Sequence, residues 1–380
     1  MPKLPMLDMF SGIGGFSFAL GEVARTIAYC EIDDSCQEVI LNNIASGRLD
    51  EAPIFPDATL LSGKDMKVKP VIISAGFPCQ DIALSNPKGL GLEGVRSKMV
   101  FEVFRLVDEI KEVRCVLLEN SPALRLKGLT TILENFLGRK FTCSWGIFSA
   151  AQVGAPQIRK RMFIMATRGS FILPSISPKM LRFSERWKAE GAARVVPRSQ
   201  TVKGTWTWTM QTKRNRMLGN AVVPQTVVYA YSCLRLAHAG LLSGVPLSRD
   251  RKVMQNISLY RSSKHKIEEE RFLQLPSGKS VPDVNVIMKD GSVEYRKKFW
   301  NTPCASPLYY SYTRLTPRSQ FLLANELFYE VQTREYLKKL GESDFKSLHH
   351  RWTINPNWIE WLMGYPRNYT RIQKTKKLEK

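Results

Sequence analysis

No stretch of the chain approaches the roughly 18 consecutive apolar residues of a transmembrane helix, so no membrane-spanning segment is expected. The first residues, Met-Pro-Lys-Leu-Pro, open neither a long apolar core nor a small-residue cleavage site, and do not read as a signal peptide. Cysteine is scarce and odd in number. The seven, at 30, 36, 79, 115, 143, 233 and 304, form no Cys-x-x-Cys pair. That argues against a disulfide scaffold and a zinc ribbon, and favours a reducing compartment. No internal repeat is visible, which sets aside solenoids and propellers. Acidic side chains are short: 34 Asp and Glu face 56 Lys and Arg, a net charge of +22. Such an excess favours a polyanionic partner over a merely solvated basic face.

The excess is unevenly placed. In residues 1–120 acidic side chains outnumber basic ones, and the whole surplus of positive charge follows residue 120. The first third therefore suits a small ligand and the remainder a phosphate backbone. With 44% apolar residues in 380, a sizeable core and two domains are expected.

Strand-like and helix-like segments alternate over the first 170 residues. Short apolar runs at 4–10, 26–32, 71–76, 115–119 and 162–166 read as strands. Residues 16–24, 35–43 and 99–110 carry helical spacing, the last with Ser97 as candidate N-cap. This alternation predicts an α/β fold, a doubly wound and mostly parallel sheet, with ligands beyond the carboxyl ends of its strands. Regularity fades after Arg168. A helix is expected at 226–241 after Pro224, a short strand at 284–288, and a long helix at 317–340 with Thr316 as N-cap and Pro317 at its first position.

Five constellations could carry chemistry. Phe10-Ser-Gly12-Ile-Gly14-Gly15 lies between a strand and a helix, where glycines allow close approach of a nucleotide-like ligand. Glu31 follows at the end of the next strand, about where an acid meets a ribose diol, although Ser17 stands in place of the dinucleotide pattern's third glycine. Gly76-Phe-Pro78-Cys79-Gln80 puts a cysteine on a loop at a strand's carboxyl end, a place for a nucleophile. Glu119-Asn120 ends another strand, where a protonated carboxyl can act as general acid. Gln157-Ile-Arg159-Lys-Arg161 leads into the next strand, and its alternate arginines share one face. Leu218-Gly-Asn220-Ala221-Val222-Val-Pro224 reads as a turn and a short apolar strand that could support a ligand. The first four also have plainer readings, in turn a tight turn, a buried inert cysteine, a capping pair and a solvated strand end, and the fifth is weak alone.

Taken together and in this order, these motifs resemble the cytosine-C5 DNA methyltransferase family. The resemblance covers most of residues 4–235 and several blocks after 313. It implies the S-adenosylmethionine-dependent methyltransferase fold, that cofactor with S-adenosylhomocysteine as its product, and no metal. By resemblance, Phe10, Gly12, Gly14, Gly15, Glu31, Ile32, Asp57, Ala58, Pro78, Asn220, Ala221 and Val222 form the cofactor site. Cys79 is the nucleophile, Glu119 the acid, and Arg159 and Arg161 the paired arginines that orient them. Gln80, Ser85, Arg96 and Asn120 fall to the nucleic acid. The implied partner is duplex DNA, from which one cytosine is flipped into the site. The expected protein is a monomer with no membrane contact, in a reducing compartment that contains DNA, and a cognate restriction endonuclease fits such a role.

The order departs from the family's. The Asn220 block precedes the basic stretch at 242–312, and Arg314-Leu-Thr-Pro-Arg318-Ser, similar to the family's arginine-rich block, follows it. Asn355-Pro-Asn-Trp-Ile-Glu-Trp-Leu-Met-Gly-Tyr-Pro366 also follows where it usually comes before. The expected division is a catalytic and cofactor domain at 1–240, a smaller, irregular target-recognition region at 241–350 with a supporting helix at 317–340, and a segment at 351–380 returning to the catalytic domain. Two other readings stay open: a tRNA cytosine methyltransferase, whose loop usually reads Pro-Pro-Cys-Gln where this chain has Phe77, and a catalytically silent DNA-binding member of the fold.

Overall fold

The computed structural model describes residues 2–78, 97–169, 171–177, 195–197, 206–241, 284–287, 293–296 and 352–372. Its centre is a seven-stranded sheet. The strands are β1 (Leu4–Met9), β2 (Ala24–Cys30), β3 (Ile54–Phe55), β4 (Ile72–Ala75), β5 (Cys115–Asn120), β6 (Phe141–Ser149) and β7 (Lys160–Arg168), in the order β3-β2-β1-β4-β5-β7-β6. The first five run parallel, and β7 runs antiparallel to both β5 and β6. The α/β, doubly wound and mostly parallel expectation therefore holds, with one reversed strand.

Alternation along the strands explains the layers. Met6, Ile72, Cys115, Leu117, Phe163 and Met165 face one core, shared with α1 (Gly15–Leu20), α7 (Pro224–His238) and α8 (Pro356–Leu362). Leu7, Ile73, Val116, Leu118, Met162 and Ile164 face the other, shared with α3 (Val100–Glu109), α4 (Leu124–Lys127) and α5 (Leu129–Gly138). Successive strand side chains point to opposite faces, so two cores form from one set of strands. Every residue of β4 and β5 is buried, which is why both read as continuous apolar runs.

Several boundaries differ from expectation. α1 stops at Leu20, because Gly21 and a turn must feed β2 from Ala24. A 3₁₀ turn, Ser97–Met99, precedes α3, which moves the N-cap position from Ser97 to Met99. α2 (Asp34–Ala45) is capped as its sequence suggests, the Asp33 carboxylate accepting from Ser35 N at 2.9 Å and Cys36 N at 3.2 Å. Residues 221–223 are not a strand. α6 (Trp206–Asn220) runs up to them, and α7 begins at Pro224 in its first turn, so Ala221–Val223 is an interhelix turn buried against the core. The strand expected at 284–288 is β9 (Val284–Ile287), paired with β10 (Val293–Arg296), and β8 (Val195–Pro197) pairs with β11 (Trp352–Ile354). The helix expected at 317–340, with Thr316 and Pro317, lies outside the described residues.

Candidate active site

The parallel strands deliver four loops to one edge of the sheet, and the reversed strand adds a fifth segment. β1 ends at the glycine loop, β2 at Glu31, β4 at Gly76–Pro78 and β5 at Glu119-Asn120. Because β7 is antiparallel to β5, its start lies beside β5's end: Asn120 pairs with Met162 and Glu119 with Phe163. This reversal is what brings arginines at the beginning of one strand to a carboxylate at the end of another.

The glycine loop is shaped by its backbone. Phe10, Gly12 and Gly14 all have positive φ, at 51°, 56° and 79°. A Cβ at Gly12 would meet nothing within 4 Å, so its side of the loop is open. A Cβ at Gly14 would sit 2.7 Å from the Leu49 side chain, and one at Gly15 only 2.6 Å from both Tyr365 Oη and Val222 Cγ2. Gly12 therefore faces open space, while Gly14, with its positive φ, and Gly15 are set close against neighbouring side chains. Glu31 closes the cradle. Its Oε2 accepts from Gly12 N at 2.7 Å and its Oε1 from Asp33 N at 2.8 Å, leaving lone pairs for hydroxyl groups. Burial raises its pKa against these two backbone hydrogen bonds.

Ile32 beside it is 76% exposed, an apolar surface against which a ring could lie. Asp57 accepts from Thr59 N at 2.8 Å and Thr59 Oγ1 at 2.7 Å, bonds that hold its carboxyl below the usual range. Arg105 fixes this turn by donating to the carbonyls of Ala58 (2.9 Å) and Leu61 (2.7 Å). An open glycine face, an acid with free lone pairs, an exposed apolar side chain and a second acid fit the adenosine half of S-adenosylmethionine.

Glu119 lies at the centre of the edge. Its side chain is 11% exposed, and its Oε1 pairs with Arg161 Nε at 2.9 Å. Burial raises its pKa, opposed by the charges of Arg161 and then Arg159. Its Oε2 would be 3.5 Å from a Cβ on Gly76, which stands three residues ahead of Cys79 in the sequence. Arg159 takes a different post. It is 1% exposed and donates through Nη2 to the carbonyls of Gly219 (2.8 Å) and Ala221 (2.7 Å), holding the turn after α6. Asn120, grouped by resemblance with the nucleic-acid residues, is also 1% exposed. Its amide donates to Phe77 O at 3.1 Å and accepts from Ser121 N at 2.7 Å, so the structure places it under the loop leading to Cys79 rather than on the surface. Pro78 is half-buried at the end of that loop, Asn220 is exposed, and Ala221 and Val222 are buried behind the glycine loop. Cys79, Gln80, Ser85 and Arg96 lie outside the described residues.

Two groups escaped the sequence reading. Asp8, fully buried in β1, accepts from Ser17 Oγ (2.7 Å) and Ser74 Oγ (2.8 Å). Burial pushes its carboxyl up to about 7 against those hydrogen bonds. An acid inside the apolar run Leu-Pro-Met-Leu-Asp-Met was a legible signal. Tyr365 and Tyr369, which reach Val222 and the glycine loop from the far end of the chain, gave none.

The model of C-5 cytosine-specific DNA methylases matches residues 4–190, the segment that carries every strand of this sheet. Residues 4–190 belong to the C-5 cytosine-specific DNA methylase family. Membership carries S-adenosylmethionine-dependent methyl transfer as the enzymatic activity of this methylase region. The chain is 23% identical over 386 aligned positions to the type II methyltransferase M.CviJI of Paramecium bursaria Chlorella virus IL3A, covering 96% of each chain. It is 31% identical over 168 residues to the type II methyltransferase M.DsaV of Dactylococcopsis salina, covering 43% of this chain and 45% of that one. A solved structure of the Entamoeba histolytica methyltransferase EhMeth aligns over 46% of this chain and 56% of its own, at 18% identity and a TM-score of 0.40. The chain thus spans nearly all of the viral relative and about half of the length of most of the other type II methyltransferases it matches. Among the described residues no helix is long and apolar enough to cross a membrane, and no group of His, Cys, Asp and Glu is arranged to hold a metal ion.

Proposed function

We propose that this protein is a sequence-specific DNA (cytosine-5-)-methyltransferase acting through a covalent Cys79 adduct, with residues 241–350 choosing the sequence. The observation that carries the reading is Glu119: a largely buried carboxyl with a raised pKa, oriented by Arg161 at 2.9 Å, beside the loop that leads to Cys79. Cytosine C5 is a poor nucleophile until C6 is attacked. The Cys79 thiolate forms the S–C6 bond while Glu119 hydrogen-bonds or protonates N3, so the ring's electrons gather at C5 rather than on an unsatisfied nitrogen. S-adenosylmethionine, when bound, supplies the sulfonium methyl that C5 takes up. Loss of the C5 proton to a base then expels Cys79 and restores the ring. Arg161 keeps the Glu119 carboxyl aimed at the base. Arg159 and Asn120 act at one remove, one on the turn at 219–221 and one on the loop at 77.

The target carbon lies inside the duplex stack, so the cytosine must be flipped out. Flipping costs a few kcal/mol, which phosphate contacts from the basic part of the chain offset. Phe77 and the size of the 241–350 segment favour duplex DNA over tRNA. Methyl transfer by the purified chain, with unmethylated duplex DNA and tRNA in competition, tests the substrate: DNA is expected to be labelled and tRNA not. Cys79→Ala is expected to abolish transfer while S-adenosylmethionine binding persists. Retained transfer by that variant would overturn the mechanism.

A further inference from the structure

The cofactor loop at the start of the chain is braced by residues near its end. Tyr369, 1% exposed, donates from Oη to the Ile13 carbonyl at 3.0 Å, in the middle of the glycine loop. Tyr365 donates to the Val222 carbonyl at 2.9 Å, and the same hydroxyl fills the space that a Cβ on Gly15 would occupy. The two rings pack with centroids 4.7 Å apart, and Phe18 of α1 meets both, at 6.1 Å and 5.3 Å.

The strap that carries them is itself locked. Glu360, fully buried, pairs with Arg214 of α6 at 2.8 Å and accepts from Asn368 N, Thr370 N and Thr370 Oγ1 at 2.7, 2.7 and 2.6 Å. Arg214 also bonds Asn357 Oδ1 at 2.6 Å. Asn43 of α2 donates to the Tyr369 carbonyl at 2.9 Å, Gln225 of α7 to Gly364 O at 3.0 Å, and Gln157 to Leu362 O at 2.8 Å. The bonds from Arg214, Asn43, Gln225 and Gln157 each cross more than a hundred residues of sequence and tie residues 355–372 to three helices and to the arginine segment. A buried carboxylate with that many donors is rigid, because releasing any of them leaves an uncompensated charge or polar group inside.

We propose that Tyr369 is a positioning residue for S-adenosylmethionine, holding the Ile13 carbonyl and so the curvature of the glycine loop from within the 355–372 strap, with Tyr365 setting the opposite wall through Val222. The proposal rests on the cofactor reading of that loop. Its geometry is asymmetric. The glycine loop has an open side at Gly12 and a braced side at Ile13 and Gly15, and the brace comes from sequence that follows the proposed recognition region.

The test is Tyr369→Phe, which removes one hydroxyl and keeps the ring packing. Titration calorimetry with S-adenosylhomocysteine is expected to show affinity weakened roughly threefold to tenfold, the range of one lost hydrogen bond. The KM for S-adenosylmethionine should rise in proportion, with kcat at saturating cofactor and the KM for DNA unchanged. Amide exchange of the peptide spanning 10–16 should quicken in the free variant. Tyr365→Phe, which frees the Val222 carbonyl, is expected to weaken the same affinity and serves if the first variant folds poorly. Unchanged affinity in both variants, or a lowered kcat at unchanged affinity, would overturn the proposal. Failure of the unmutated chain to bind S-adenosylhomocysteine would instead overturn the cofactor reading, and the proposal with it.

Discussion

The Glu119 carboxyl stands between burial, which raises its pKa, and the Arg161 guanidinium 2.9 Å away, which lowers it; burial prevails. The proton is therefore held to higher pH than on a solvated glutamate. As an acid Glu119 works in its protonated form, so the rate must fall as pH rises through its pKa. Arg161→Gln removes the opposing charge, and this alkaline limb should move to higher pH while kcat drops. Glu119→Gln should erase the limb and cost roughly 10²- to 10⁴-fold in kcat. Profiles of kcat against pH check both, and a limb that stays in place in Arg161→Gln would contradict the pairing. At this scale the sequence carried much of the site. Glycines, acids and arginines in fixed spacings name a chemistry before any fold is known. It could not separate Arg161, which touches the acid, from Arg159, which stands just before β7 and holds a backbone turn, because alternate spacing assigned both to one strand face. Nor could it tell that Asn120 points inward.

The elements divide the glycines of the loop by task. Gly15 is pressed between Tyr365 and Val222, whereas Gly12 faces open space and has φ of 56°. Gly15→Ala should cost about 1–3 kcal/mol of stability through overpacking, read as a lower Tm. Gly12→Ala should lower Tm less and lose more affinity for S-adenosylhomocysteine, since its methyl group enters the ligand's space. The reverse ranking in melting and calorimetry would contradict the assignment of open and braced sides. The apolar runs of β1, β2, β4, β5 and β7 were legible because most of their residues are buried, with few polar interruptions such as Asp8 in β1 and Arg25 in β2. β6 was missed, although Phe141, Cys143, Trp145 and Ile147 alternate with smaller residues, because its pattern is period two rather than a continuous run. The turn at 221–223 was misread for the opposite reason. Its apolar residues are buried by packing behind the glycine loop, and burial alone does not make a strand.

Across the whole molecule, the first 120 residues supply the glycine loop and most of its partners, while the positive charge lies beyond them. The unusual motif order makes structural sense in the described part. Whatever the path between 242 and 351, the chain returns at 355–372 to lie behind the glycine loop, with Tyr369 bonded to Ile13 across 356 residues of sequence. Such contacts leave no local periodicity, which is why sequence reading cannot place them. The central claim is that this methylase marks C5 of a cytosine within a chosen DNA sequence. Cytosine-conversion sequencing of unmethylated duplex DNA, incubated with the purified protein and S-adenosylmethionine, tests it most directly. The account predicts conversion-resistant cytosines confined to one short word and absent with Cys79→Ala. Full conversion of every cytosine, from a chain that binds the cofactor, would contradict it.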